Sequence, residues 1–188
     1  PSIIKLWSEK LNAHIVDYTR YEEQGKYLEG TGSMVFDREN RVAYACLSER
    51  TNSELLRLFC KDFDYQLIEF HATQLVQGKR APIYHTNVVM AVGKKLAIVC
   101  LDSIEDSRGK ELVVKALESA NKEIVPITIQ QVKDYVGNVL ELEGKDGEQL
   151  LVMSSRAFRA LNEDQLKIIK ACNLERSEER RVGKECSG

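Results

Sequence analysis

Residues 34–71, MVFDRENRVAYACLSERTNSELLRLFCKDFDYQLIEFH, and residues 88–127, VVMAVGKKLAIVCLDSIEDSRGKELVVKALESANKEIVPI, carry the same succession of signals. In the first, Met34–Phe36 and Val42–Leu47 read as apolar strands across the polar turn DREN. A helix over Ser53–Lys61 follows, with Thr51, Asn52 or Ser53 as its N-cap. Gln66–His71 reads as a closing strand. In the second, Val88–Val92 and Leu96–Leu101 flank a Gly-Lys-Lys turn. Lys110–Asn121 has helical spacing, and Glu123–Ile127 reads as a strand. A shift of 54 residues lays Val35 on Val89, Cys46 on Cys100 and Phe70 on Ile124. A third copy starts at Asn138-Val139, which lies on Asn87-Val88 after a shift of 51. It contains the hairpin Val139–Leu142 and Gln149–Ser154, a helical turn from Ala157, and the helix Glu163–Cys172. Asn162 and Gln165 form a capping box for that helix.

Units of strand–strand–helix–strand cannot bury their apolar faces alone. They are too large for solenoid turns and too helical for all-β propeller blades. A ring of ββαβ units about a pseudo-symmetry axis closes them. Two whole units and part of a third, about residues 32–71, 86–127 and 138–172, are visible, so the ring is expected to be incomplete. Around them, residues 2–11 read as an amphipathic helix and His14–Val16 as a short strand. Residues 17–33 read as a loop, as does the segment holding Gly78 and Pro82, and Thr128 is expected to cap a short helix to Tyr135.

The 188 residues are 43% hydrophobic and 30% charged, which excludes a disordered or collagen-like chain. No apolar run suffices for a membrane span, and charges interrupt the N-terminus where a signal peptide would be apolar. Twenty-seven basic against 29 acidic residues argue against an electrostatic nucleic-acid binder. Five unpaired-looking cysteines fit a reducing, cytoplasmic setting. The chain opens on Pro1 rather than Met. Arg176–Cys186 matches, residue for residue, the conceptual translation of a common short-read sequencing adapter, while Ser187 and Gly188 depart from it. The native sequence is therefore expected to end near Glu175, with 176–188 a non-native tail.

In a ring of such units the segments leading into each first strand converge near the axis. Glu29 of LEGTGS and His85 of IYHTN occupy two of them. They are a candidate acid/base pair, in which the carboxylate fixes the imidazole tautomer. Spacing alone equally describes a loop carboxylate and a surface histidine. Arg50 of SERTN can hold a carboxylate in bidentate fashion, or form an ordinary surface ion pair. Asn87 lies two residues past His85 and in a strand would face the same side. GTGSMV is not a dinucleotide fingerprint, because Val35 replaces the third glycine and a strand follows. No Walker loop, Gly-x-Ser-x-Gly or HExxH occurs, and His14, His71 and His85 lack zinc-like spacing. Cys46 and Cys100 lie in apolar strands, Cys60 ends an apolar helix stripe and Cys172 lies near a helix end; none has an activating neighbour, and all four read as inert.

The runs LEGTGSMVFDRENRVAYACLSERTN, PIYHTNVVMAV, VCLDS, YVGNVLEL and LLVMSSRAF resemble the amidinotransferase-like branch of the guanidine-modifying (pentein) superfamily. The nearest type is the citrulline-utilisation hydrolase, related to arginine deiminase and dimethylarginine dimethylaminohydrolase. The resemblance covers about residues 1–174. It implies an α/β fold, a five-bladed propeller of ββαβ modules, of which 1–175 would be a partial catalytic domain. It also implies covalent catalysis: a cysteine thiolate attacks the guanidinium carbon, and a histidine protonates the leaving amine and then activates water or an acceptor amine. On this resemblance His85 is the acid/base, Glu29 its partner, Arg50 the binder of the substrate carboxylate and Asn87 a substrate contact. Arginine deiminases place an aspartate where Asn87 stands, which argues against free arginine as substrate.

The nucleophilic cysteine is expected in a Gly-rich segment beyond Leu174, and an acidic substrate-binding segment before Pro1. Cys186 lacks the Gly-rich context. The 188-residue chain is thus expected to be an inactive piece of a hydrolase acting on a guanidino or ureido C–N bond. An amidinotransferase and a non-catalytic α/β binding module are the alternatives. A small-molecule guanidino or ureido partner is implied, but no metal, organic cofactor, nucleic acid or membrane. An unclosed ring is expected to be marginally stable or self-associating, and a homo-oligomer is compatible with the sequence.

Overall fold

Val42–Cys46 (β2) is an unbroken apolar run because both of its faces are covered. Val42, Tyr44 and Cys46 enter the main core, while Ala43 and Ala45 join Met34, Leu56 and Cys60 in a second cluster. The computed structural model describes residues 3–172 and the backbone of 174–178. β2 pairs antiparallel with Val35–Asp37 (β1) and parallel with Gln66–Phe70 (β3). The parallel crossover is the helix Ser53–Asp62 (α2); α1 is Ile3–Leu11. Asn52 caps α2, its side chain accepting from the Leu55 N–H at 3.1 Å.

The same topology recurs twice. Met90–Val92 (β6), Leu96–Val99 (β7) and Glu123–Pro126 (β8) form a sheet in that order, with Ser107–Ser119 (α3) in the crossover. Leu140–Glu143 (β9), Gln149–Met153 (β10) and Leu174–Glu178 (β11) form the third sheet. Between β10 and β11 stand Ser155–Ala160 (α5) and Glu163–Ala171 (α6). Each outer pair is parallel and each hairpin antiparallel. The fold is thus mixed α/β, with three ββαβ units among the described residues. β11 crosses residue 175; the rest of the expected tail, 179–188, lies outside the described residues.

The register corrects the repeat alignment. With Tyr44 laid on Ile98, their antiparallel partners are Val35 and Ala91, so Val35 falls on Ala91 rather than Val89. The hairpin turns differ in length, and the inner strand slides by two residues. An even slide keeps every side chain on its face, so the apolar pattern could not reveal it. α3 has 13 residues against 10 in α2, which moves the counterpart of Phe70 from Ile124 to Ile127.

Local expectations fail outside the units, and Thr19–Gln24 of the expected 17–33 loop is a 3-10 helix. His14–Val16 forms no strand: Ile15 and Val16 are exposed, and the chain instead turns where Asp17 accepts from the Thr19 N–H at 2.8 Å. The segment around Gly78 is a hairpin, Thr73–Val76 (β4) with Lys79–Pro82 (β5). Gln77 and Gly78 both have positive φ, 50° and 77°, as a type I′ turn requires. The run KRAP hides it, having no apolar alternation.

Both expected caps at the C-terminal end form. Thr128 caps Ile129–Lys133 (α4) and Asn162 caps α6, each through a capping box with its glutamine. The two glutamines then bond each other: Gln131 Nε2 donates to Gln165 Oε1 at 2.7 Å, and Gln165 Nε2 to Gln131 Oε1 at 3.0 Å. Both are buried, so this reciprocal pair satisfies groups that would otherwise be costly to desolvate.

The three inner strands lie side by side, β1 beside β6 and β6 beside β9. The β6–β7 turn joins the units. Lys122 Nζ donates to Gly93 O at 3.0 Å and Lys94 O at 2.8 Å, and reaches Asp37 Oδ2 of the first unit at 3.1 Å. Glu141 of the third unit accepts from the Lys94 N–H at 3.2 Å.

Candidate functional site

The lead-in to β1 is folded by its own backbone. The Glu29 N–H donates to Arg50 O at 3.2 Å and to Ser33 Oγ at 3.1 Å, while Ser33 Oγ donates to Arg50 O at 2.9 Å. The lead-in to β6 contains a 3-10 turn, Thr86–Val88. Thr86 is fully buried; its hydroxyl donates to Ser33 O at 2.6 Å and accepts from the Cys46 N–H at 2.7 Å. The two lead-ins are thereby stitched together. Ser48 Oγ adds a bond to Tyr84 O at 2.8 Å.

This stitching brings Glu29 and His85 into contact. His85 Nε2–H donates to Glu29 Oε2 at 2.8 Å. The register that lays Val35 on Ala91 also lays Glu29 on His85, so the pair occupies equivalent places in two units. Arg50 joins from the other side, its guanidinium nitrogen 3.3 Å and 3.4 Å from the two Glu29 oxygens. It stands over the Tyr84 ring at 5.8 Å. The hydrogen bond from His85 holds the Glu29 carboxyl below the usual carboxylate range; partial desolvation opposes this and Arg50 reinforces it. Side-chain exposures of 40% for Glu29, 32% for His85 and 54% for Arg50 leave the cluster open to a ligand.

Asn87 is placed differently from strand reasoning. It lies in the 3-10 turn, its N–H donating to Gly32 O at 3.4 Å, and it lines a cavity of about 590 Å³. Thr31 and Asn138 line the same cavity, an open cleft bordered by the three inner strands. Sequence reasoning missed Thr86, Ser33 and Tyr84. Only Thr86 left a trace, its place between His85 and Asn87, the two residues singled out. Among the described residues no cluster of His, Cys, Asp or Glu could hold a metal.

The four described cysteines are buried. Burial pushes the thiols of Cys46 and Cys60 up to about 11 and raises those of Cys100 and Cys172. None is poised as a thiolate. Cys186 lies outside the described residues. No described helix is long and apolar enough to cross a membrane.

A family model described as N,N-dimethylarginine dimethylhydrolase, eukaryotic, matches residues 3–176. No curated protein matches the chain. Among solved structures, a mutant N-terminal domain of ArgZ bound to substrate, an arginine dihydrolase of the ornithine–ammonia cycle in cyanobacteria, is similar. Its TM-score is 0.65 at 13% identity, covering 93% of this chain and 56% of that one. A mutant of AgrE with L-arginine gives 0.66 at 15% identity, covering 93% and 23%. At these identities the likeness is one of fold. The chain spans little more than half of the ArgZ domain.

Proposed function

The chain belongs to the N,N-dimethylarginine dimethylhydrolase family of the pentein superfamily, and from that premise we propose that it carries the acid/base and substrate-binding part of a guanidino-modifying site. The single observation that carries this reading is the Glu29–His85 hydrogen bond at 2.8 Å, beside the guanidinium of Arg50. The substrate class is an α-amino acid with a guanidino or ureido side chain. The three ββαβ units are blades of a five-bladed α/β propeller whose axis runs by the cavity.

In this reading each residue has one task. Arg50 holds the substrate carboxylate; its long contacts to Glu29 leave it free to turn toward one. Asn87 hydrogen-bonds the guanidino group from the cavity wall. A neutral amide there, in place of a carboxylate, favours a substituted guanidinium or a ureido group over the free guanidinium of arginine. A thiolate from outside the described residues attacks the guanidinium carbon. His85, protonated, gives its proton to the leaving amine as the C–N bond breaks, leaving a covalent amidino-thioether. The neutral imidazole then takes a proton from water, whose oxygen forms the new C–O bond before the thiolate leaves. An amine in place of water makes the same residues a transferase. Glu29 stabilises the imidazolium at each stage where it is present.

Calorimetric titration with N,N-dimethylarginine, citrulline, arginine and agmatine tests the binding half. Saturable binding of the amino acids, weaker for agmatine, which has no carboxylate, supports the reading. Absence of binding by all four removes it. Where turnover is observed, a ureido product with released amine identifies hydrolysis, and an amidinated acceptor identifies transfer.

A further inference from the structure

We propose that Gly32 is a positioning residue for His85: its missing side chain is the space against which the imidazole lies when Nε2 is bonded to Glu29. The nearest atoms to a Cβ built at residue 32 are His85 Cγ and Nδ1 at 3.0 Å and Cδ2 at 3.1 Å. All three belong to the ring. Gly32 is not among the glycines with positive φ, whereas its neighbour Gly30 is, at 58°. Backbone conformation therefore does not demand glycine at residue 32; the ring does.

The placement has a chemical consequence, which rests on the reading of His85 as the acid/base. Glu29, as a carboxylate, only accepts, so the bonded Nε2 carries the hydrogen and the neutral imidazole is fixed as the Nε2–H tautomer. Nδ1 is then the nitrogen left to exchange a proton with a ligand, and it is one of the three atoms a Cβ would crowd. The backbone on both sides is pinned. Gly32 O accepts from Asn87 N–H at 3.4 Å, and Ser33 O accepts from Thr86 Oγ1 at 2.6 Å. With the two segments tied together, the imidazole must give by a few tenths of an ångström to admit an added methyl, which loosens its bond to Glu29.

The test uses the 188-residue chain and needs no turnover. Imidazole ¹⁵N shifts above the titration range report the tautomer. The wild type is expected to be almost wholly Nε2–H, and Gly32→Ala to be a mixture, with the Glu29 bond weakened. Denaturation of Gly32→Ala, His85→Ala and the double variant completes a cycle. The alanine at residue 32 is expected to destabilise the chain when His85 is present and to be tolerated when the ring is gone. If Gly32→Ala fails to fold, the double variant is expected to fold. An unchanged tautomer ratio in Gly32→Ala overturns the proposal, as does equal destabilisation with and without the ring or failure of both variants to fold. Each outcome is independent of whether guanidino compounds bind.

Discussion

Glu29 and His85, 56 residues apart in the chain, share a hydrogen bond of 2.8 Å. They occupy equivalent lead-ins of adjacent ββαβ units, so the fold's internal symmetry makes the contact. The bond ties the proposed acid/base pair to the docking of two units, which neither unit could supply alone.

The pair should mark the pH dependence of stability. The Glu29 carboxyl is held low chiefly by the His85 hydrogen bond, with Arg50 assisting. A carboxyl lower in the folded than in the unfolded chain stabilises above its unfolded value. That contribution fades as pH falls through the folded value. Denaturation followed from about pH 6 to about pH 2, a range bracketing ordinary carboxylates, should show a shallow acid loss that Glu29→Gln reduces.

Asp37 and Lys122 form a buried pair at 3.1 Å, with side chains 2% and 1% exposed, linking the first and second units. Removing one partner strands a charge, and Asp37→Ala or Lys122→Met should cost about 3–5 kcal/mol in chemical denaturation. The double replacement should recover much of that loss.

Arg50→Ala should weaken binding of amino-acid ligands by roughly 10–100-fold, the value of a charge-assisted hydrogen bond of about 1.5–3 kcal/mol. Binding of agmatine should be little changed. Arg50→Lys should not restore affinity, because an ammonium cannot make the planar two-point contact. Parallel calorimetric titrations compare the three proteins.

The described cysteines should resist alkylation in the folded chain and react on unfolding, since all four are buried with raised thiol values. Mass spectrometry after iodoacetamide measures this. The 188-residue chain should correspondingly give no ureido product from N,N-dimethylarginine. Turnover abolished by both His85→Ala and Cys186→Ser would instead assign the thiolate to Cys186.

Exposed apolar surface should drive self-association. Ile3, Ile4, Trp7 and Leu11 of α1 are more than half exposed, and Leu140 of β9 is 58% exposed. Sedimentation velocity should show mass rising with concentration, and replacing Ile4 and Trp7 by serine should reduce it.

Much of this was legible in the sequence because it is local. Apolar runs marked the strands of the first two units and the hairpin of the third, though not β11, and Thr128, Asn162 and Gln165 marked caps whose partners lie three residues away. What was hidden depends on register. The two-residue slide of β1 against β6 leaves every face unchanged, so the 54-residue shift that matches the apolar residues puts His85 opposite Thr31, two residues from Glu29. Asn87 looked like a strand residue, but the 3-10 turn at Thr86–Val88 sends it to the cavity. Thr86 and Gly32 gave no periodic signal, since one acts by a single buried hydroxyl and the other by an absent side chain. The hairpin at 73–82 is specified by its turn, not by its strands.

The most direct measurement follows the His85 imidazole by NMR while N,N-dimethylarginine is added to the 188-residue chain. The account predicts saturable shifts at His85, Glu29, Arg50 and Asn87, weakened in Arg50→Ala and altered in Glu29→Gln. A titration that leaves these four residues unmoved, or moves only residues remote from them, would contradict it.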